Sequence, residues 1–235
     1  MIPKKIHYVW LGHGEMPKEM KKCLRSWNKY LKDYEITCWN EDNFDINSHH
    51  YVKKAYEAKK WAFASDYIRL YALYKYGGIY MDTDVFVIDN FDKLLNDKAF
   101  FGFENSNYLF AAVFGVEPHH PLIKELLDYY DNYEFEYDEK DPMKNVNTKY
   151  VSDILVNKYK VKLNNKKQKV KDGVVIYPDG ILCNPSKDSI SIHIFYGSWI
   201  KEKLELKKKL VMFVKMRLNN KKKAGLYRKY VSKEK

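Results

Sequence analysis

Residues 61–84 read WAFASDYIRLYALYKYGGIYMDTD, and the fold turns on how that string divides. Ala64, Ile68, Tyr71 or Ala72, and Lys75 keep helical spacing, so Trp61–Tyr76 is predicted to be a helix that Gly77-Gly78 stops. Ile79-Tyr80-Met81 follows as a short apolar run, a buried strand, and it ends in Asp82-Thr83-Asp84. In open α/β sheets, ligands gather beyond the carboxyl ends of strands. The string therefore predicts an α/β fold with polar chemistry at the end of this strand.

Strand side chains alternate, so Asp82 and Asp84 project to one face and can converge on one site. Two carboxylates held that close repel unless a cation lies between them or one takes a proton. A Mg²⁺ or Mn²⁺ ion meets the need, because hard cations take oxygen ligands and share them with substrate phosphates. The plainer alternative is a pair of loop aspartates capping the next turn. On the preceding helix, Asp66 and Arg69 are three apart and share a face. As a surface pair they would contribute only ~0.3–0.5 kcal/mol. Their neighbours Trp61, Phe63, Ile68 and Leu70 instead imply partial burial, where an ion pair is better explained by function than by stability.

Working outward, Lys5–Leu11 and Tyr34–Trp39 read as strands, with a helix from Pro17 to Tyr30 between them. A helix resumes near Tyr51. After the Asp pair, Val85–Ile88, Ala99–Phe103 and Leu109–Val116 are extended, and Pro121 opens a helix to about Asp131. The acidic, tyrosine-rich stretch Asp128–Asp141 reads as a solvated turn, and Lys149–Lys158 as a helix. Lys160–Asp172 is a polar connection, Pro178–Pro185 a loop, and Val174–Tyr177 and Ser189–Phe195 are strands. Strands alternating with helices predict a mostly parallel, Rossmann-like sheet with a smaller mixed β region and a C-terminal helix. Residues 1–199 are expected to form one catalytic domain, and 200–235 a basic amphipathic helical tail.

Composition narrows the class. The chain has 235 residues, 46% of them hydrophobic, enough to bury one substantial core. No apolar run is long enough to span a bilayer, and the opening MIPKKIHYVWLG lacks the features of a cleaved secretory signal. Cys23, Cys38 and Cys183 form no CxxC pair, which argues for reduced thiols and against a zinc site or disulfide scaffold. A cytoplasmic protein is expected. Of 42 basic and 31 acidic residues, 14 and 3 lie in 201–235, so the whole net charge of +11 belongs to the tail. There Leu206, Leu210, Val214 and Leu218 recur every four residues among lysines. The pattern predicts either a helix lying on the anionic inner face of the cell membrane or one packed on the body. No nucleic-acid-binding module accompanies it, so no nucleic-acid partner is expected.

The string Ala64-Ser65-Asp66-Tyr67-Ile68-Arg69, continued by Tyr76-Gly77-Gly78-Ile79-Tyr80-Met81-Asp82-Thr83-Asp84, resembles the signature of the DXD sugar transferases of glycosyltransferase family 32. The glucosylating domains of large bacterial toxins share it. Residues 2–12 resemble the family's opening strand, and Ile192-His193 with Ser198-Trp199 its closing motif. The resemblance implies a GT-A fold and retaining transfer from a nucleotide-diphospho-sugar, a UDP-sugar in the first instance, to a glycan or lipid-linked glycan, as in surface polysaccharide synthesis. It implies that Asp84 binds Mn²⁺ or Mg²⁺ directly. Asp82 would reach the ribose and sugar, with the ion held partly through water. Asp66 and Arg69 would contact sugar hydroxyls, Ser198 and Trp199 would close over the diphosphate, and Trp10 would lie on the nucleotide base. His193 would complete the metal shell where the toxins present a carboxylate, a departure that favours Mn²⁺. On the residues alone, Trp10 is equally a core aromatic and His193 a core histidine.

Two other classes compete. Asp-x-Asp at a strand end also suits phosphatases of the haloacid dehalogenase type, but Phe86 stands where those carry Thr or Val, and no later acidic pair follows. A non-catalytic carbohydrate-binding protein would suit the aromatic content yet has no use for the Asp66, Arg69, Asp82, Asp84 set.

Overall fold

The computed structural model describes residues 1–137, 147–197 and 206–231. Strand β1 (Lys5–Val9) is followed by helix α1 (Lys18–Tyr30), which starts just after Pro17, and by β2 (Glu35–Trp39). Helices α2 (His50–Glu57) and α3 (Trp61–Tyr76) come next, then β3 (Gly78–Met81) and β4 (Val85–Val87). Strands β5 (Ala99–Phe103) and β6 (Leu109–Val116) precede α4 (Pro121–Asp131), whose first residue is the expected proline. Helix α5 (Asn147–Asn157), β7 (Gln168–Lys169), β8 (Val174–Tyr177), the short α6 (Asp179–Leu182) and β9 (Ser191–His193) complete the body. The tail forms α7 (Leu206–Lys215) and α8 (Lys221–Val231).

The main sheet runs β2-β1-β3-β6-β5-β8-β7, and β4 pairs with β9 in a separate two-stranded ribbon. Parallel pairing holds across β2-β1-β3 and at β5-β8, while β6 runs antiparallel to both its neighbours and β7 to β8. The parallel, Rossmann-like half is thus the part that carries the Asp-x-Asp strand, and the mixed region begins at β6. Both faces are covered. Helices α2 to α5 pack with Tyr80, Phe101 and Phe114 on one side, while α1 packs with Ile79, Met81, Phe100 and Val113 on the other. Adjacent residues of β3 therefore face opposite cores, as the period of two demands. Tyr80, and Asp82 two residues on, fall on the α3 side.

The Gly77-Gly78 turn is fixed sterically. Gly78 has φ +104°, and a Cβ there would lie 2.6 Å from the Lys5 carbonyl oxygen, closer than any side chain tolerates. The buried His7 ring locks the same turn: Nε2–H donates to the Gly77 carbonyl at 2.8 Å, and Nδ1 accepts from the Trp39 indole at 3.1 Å. Burial lowers the His7 pKa, keeping the ring neutral and able to do both. One small imidazole ties β1, β2 and the glycine turn together.

Four expectations need correction. The 128–141 stretch is no solvated turn in its described part, because Tyr130 and Phe135 are buried and their rings lie 4.7 and 5.4 Å from that of Tyr51. Counting charges hid the aromatic anchors between them. The polar connection 160–172 contains β7, a two-residue edge strand too short to leave a periodic signal, and the 178–185 loop contains α6. The tail is two helices rather than one, and its apolar residues divide. Met212, Met216, Leu218 and Ala224 pack on Phe86, Ile88, Ile192 and Ile194, whereas Leu206, Leu210 and Phe213 stay exposed. Among the described residues, no helix is long and apolar enough to cross a membrane.

Replacing Gly78 with Ala forces a side chain onto a left-handed backbone and against Lys5. The substitution is expected to cost about 1–3 kcal/mol, measured as a lower urea midpoint with unchanged slope.

Candidate active site

The site forms where β3 ends. Asp82 accepts the Tyr80 hydroxyl at 2.7 Å, and its backbone N–H is held by the Ala112 carbonyl of β6 at 2.8 Å. Arg69 descends from α3 into this corner. Its guanidinium carbon lies 4.4 Å from the Tyr80 ring centre, and Nη2 lies 2.8 Å from Asp66 Oδ1 and 3.5 Å from Asp82 Oδ1. Asp66 and Arg69 are 7% and 6% exposed, so the pair is buried rather than superficial. The side chain of Asp82, by contrast, keeps 31% of its surface open. One cation is therefore shared between a buried carboxyl and a partly exposed one.

Asp84 immediately precedes β4 of the second sheet. The β4-β9 register sets Val85 opposite His193, which brings the His193 Nε2 to 3.0 Å from Asp84 Oδ1. The backbone N–H of Tyr196 donates to Asp84 Oδ2 at 2.9 Å, and that of Ile194 to the Asp84 carbonyl at 3.1 Å. Donor atoms of Asp82, Asp84 and His193 all lie within 4.8 Å of one another. Two carboxylate oxygens and an imidazole nitrogen at that spacing fit a divalent cation, Mn²⁺ accepting such a mixed set more readily than Mg²⁺.

Electrostatics agree with the geometry. Burial raises the Asp66 pKa to about 7, with Arg69 opposing and Asp82 adding to the rise. Asp82 is also raised, first by burial, against the pull of Arg69 and with the push of Asp84. Burial acts on Asp84 in the same direction, but His193 and the Tyr196 N–H outweigh it and leave its pKa lowered. Burial disfavours the Arg69 charge, yet Tyr80, Asp82 and Asp66 more than restore it. Of the two Asp-x-Asp carboxyls, Asp84 is the one held ready to bind a cation, while Asp82 carries uncompensated desolvation that a second positive charge relieves.

Trp10 follows β1, whose carboxyl end lies at the same sheet edge as that of its parallel neighbour β3. It is half-buried rather than core, and its indole N–H donates to the Gly14 carbonyl at 2.8 Å. His193 lies in β9, mostly buried, with its Nε2 on the Asp84 carboxylate. Ser198 and Trp199 lie outside the described residues.

Tyr80 and Lys215 escaped the sequence reading as site groups. Tyr80, placed there only in a buried strand, is the floor under Arg69. Glu104 is raised by burial, with His193 and Lys215 acting against the rise. Lys215 of the tail is only 6% exposed, and its Nζ donates to the His193 carbonyl at 2.8 Å. Burial lowers its pKa against the opposing pull of Cys183, Asp84 and Glu104. The signal was present: Met212, Lys215 and Met216 share one helical face, and a lysine in an apolar stripe marks an inward-pointing charge.

With the geometry in hand, residues 17–101 match the family described as glycosyltransferase sugar-binding region containing DXD motif. The similarity to that family is confined to this segment, about a third of the chain. The matched segment holds Asp66, Arg69, Asp82 and Asp84, whereas Trp10 and His193 lie outside it. Inositol phosphoceramide mannosyltransferase 3 of Schizosaccharomyces pombe is 27% identical over 140 residues, 58% of this chain and 39% of that protein. Alpha-1,4-N-acetylglucosaminyltransferase of Homo sapiens is 40% identical over 65 residues, 28% of this chain and 18% of its own length. The chain thus spans well under half of either relative. The solved PaToxG glycosyltransferase superposes with a TM-score of 0.51 at 19% identity, covering 67% of this chain and 70% of that one. The fold is that of the GT-A glycosyltransferases.

The elevated Asp66 pKa gives a signed expectation. A carboxyl that titrates near 7 when folded and about 3.9 when unfolded contributes stability below the lower value, and loses it as pH rises through the upper one. In Asp66→Asn this loss is absent. The melting temperature of the variant relative to wild type should therefore become more favourable from pH 5 to pH 8, as read by calorimetry without metal.

Proposed function

We propose that the chain is a divalent-metal-dependent glycosyltransferase, moving a sugar from a nucleotide-diphospho-sugar, UDP-linked in the first instance, to a glycan or lipid-linked glycan acceptor. One observation carries the reading: Asp82, Asp84 and His193 converge at the end of β3 with donor atoms within 4.8 Å, inside a family whose defining feature is that carboxylate pair. Mn²⁺ is the favoured ion because one of the three donors is an imidazole.

The chemistry assigns work to each residue. Glycosyl transfer separates charge, with positive character growing on the sugar and negative on the departing diphosphate, and a site gains rate by binding that separation more tightly than the ground state. A bound divalent ion supplies positive charge where the diphosphate leaves. Asp84, held by His193 and the Tyr196 N–H, presents its carboxylate in a fixed orientation. Arg69 and Tyr80 fix Asp82 so that its open face can accept hydroxyls of the donor. Asp66 keeps Arg69 from collapsing fully onto Asp82. The half-buried Trp10 offers an indole face at the same sheet edge, suited to a nucleotide base. Ser198 and Trp199 are assigned from the sequence to donate to the diphosphate and exclude water. Retention of configuration is proposed on the resemblance to the toxin domains, with the nucleophile unassigned.

The phosphatase alternative is not favoured. Its nucleophile would be Asp82, whose Oδ1 is already engaged by the Tyr80 hydroxyl and faces Arg69. A purely carbohydrate-binding protein gives no reason to bury an arginine between two acids.

A thermal-shift screen of nucleotide-sugars with Mn²⁺ tests the donor class, since a donor at 100 times its Kd stabilises by about 2.7 kcal/mol. Asp84→Ala should erase that shift and cut donor turnover by more than the about 10–100-fold typical of losing an outer-shell partner. Undiminished Mn²⁺-dependent turnover in Asp84→Ala would remove the metal assignment.

A further inference from the structure

Away from the Asp-x-Asp corner, a groove of about 460 Å³ lies between α1 and the turn joining α7 to α8. Lys22, Arg25 and Lys29 line it from one face of α1, at spacings of three and four, while Arg217 and Lys223 close it from the tail. Tyr30 joins the two walls, its hydroxyl donating to the Asn219 carbonyl at 2.9 Å. No carboxylate lines the groove, and none of these five cations forms an ion pair among the described residues. Nearby bases do find acids: Lys221, two residues before Lys223, pairs with Asp89. Five like charges facing one concavity repel, and an anion offsets that repulsion.

The adjoining surface says what kind of anion. Leu206, Leu210 and Phe213 are 88%, 63% and 49% exposed, and their spacing puts them on one face of α7. Arg217, one helical turn further, lies at the groove, and its guanidinium stacks 3.3 Å from the Phe213 ring centre. An apolar stripe thus runs directly into a cationic pocket, with Lys207, Lys208 and Lys209 beside it. A soluble phosphate has no use for that stripe, whereas a lipid brings both a phosphodiester and acyl chains.

We propose that this groove seats the phosphodiester headgroup of an anionic membrane lipid, with the Leu206–Phe213 face of α7 lying in the interface. The site shares no residue with the proposed catalytic set and stands independently of the catalytic reading.

Vesicle co-sedimentation tests it, using phosphatidylcholine alone against phosphatidylcholine mixed with phosphatidylglycerol. The full chain should sediment only with the mixed vesicles. Arg25→Glu with Arg217→Glu, both at exposed positions, should weaken that partition by roughly tenfold or more. Phe213→Ser should weaken it as well, and both variants should keep the wild-type melting temperature and the Mn²⁺–donor thermal shift. Equal binding to neutral vesicles overturns the proposal, as does full binding by the double-charge variant. Loss of vesicle binding to millimolar inorganic phosphate, together with indifference to Phe213→Ser, assigns the groove to a soluble phosphate instead. Binding to duplex DNA but to neither vesicle assigns it to a nucleic acid and equally refutes the lipid.

Discussion

Everything at the β3 edge depends on one buried guanidinium. Arg69 is nearly inaccessible, and isolating such a charge from water costs several kcal/mol unless the surroundings answer it. Here the answer comes from three directions: the Asp66 carboxyl on its own helix, the Asp82 carboxyl from the strand, and the face of Tyr80 beneath. Removing any of the three leaves the cation under-compensated. The arrangement also explains the order of residues in the chain. Asp66 must be three before Arg69 to share its helical face, and Tyr80 two before Asp82 to share its strand face. The Gly77-Gly78 turn must be tight enough to fold α3 back over β3. The spacing Asp66-x-x-Arg69, then Tyr80-x-Asp82, is the imprint of one charge being satisfied.

Asp84 answers to a different constraint. It stands only two residues beyond Asp82 but heads a separate ribbon whose partner, β9, comes from more than a hundred residues later. Local sequence brings the carboxylates side by side, whereas the imidazole and the Tyr196 N–H arrive through long-range pairing. A site assembled this way couples the integrity of the second sheet to the protonation of Asp84. If β9 separates from β4, the groups that hold the carboxyl ionised go with it.

That division sets what could be read from the chain. Elements with a strong local signature were legible to the residue: Ala99–Phe103 and Leu109–Val116 as apolar runs, Trp61–Tyr76 by period and glycine stop, α4 by its proline. Asp66, Arg69, Asp82 and Asp84 were legible for the same reason, since each is placed by its own helix or strand. His193 was reachable only through the family resemblance, because nothing local marks it as the partner of a residue so far upstream. Tyr130 and Phe135 were obscured by the acids around them, although burial is decided by the rings. Lys215 was submerged in a tail whose lysines all look alike until the helix face is resolved.

The tail is where these threads meet. Within three residues, the end of α7 and the turn after it send Lys215 inward to the His193 carbonyl and Arg217 outward to the basic groove, and between them Met216 packs on the hydrophobic cluster that backs β4 and β9. A buried ammonium with a backbone carbonyl as its hydrogen-bond acceptor is a costly contact, and it is met by acids nearby, Asp84 and Glu104 among them. It anchors the last residue of α7 against the strand that carries a candidate metal donor. The same short segment therefore has one face in the site and one face on the surface.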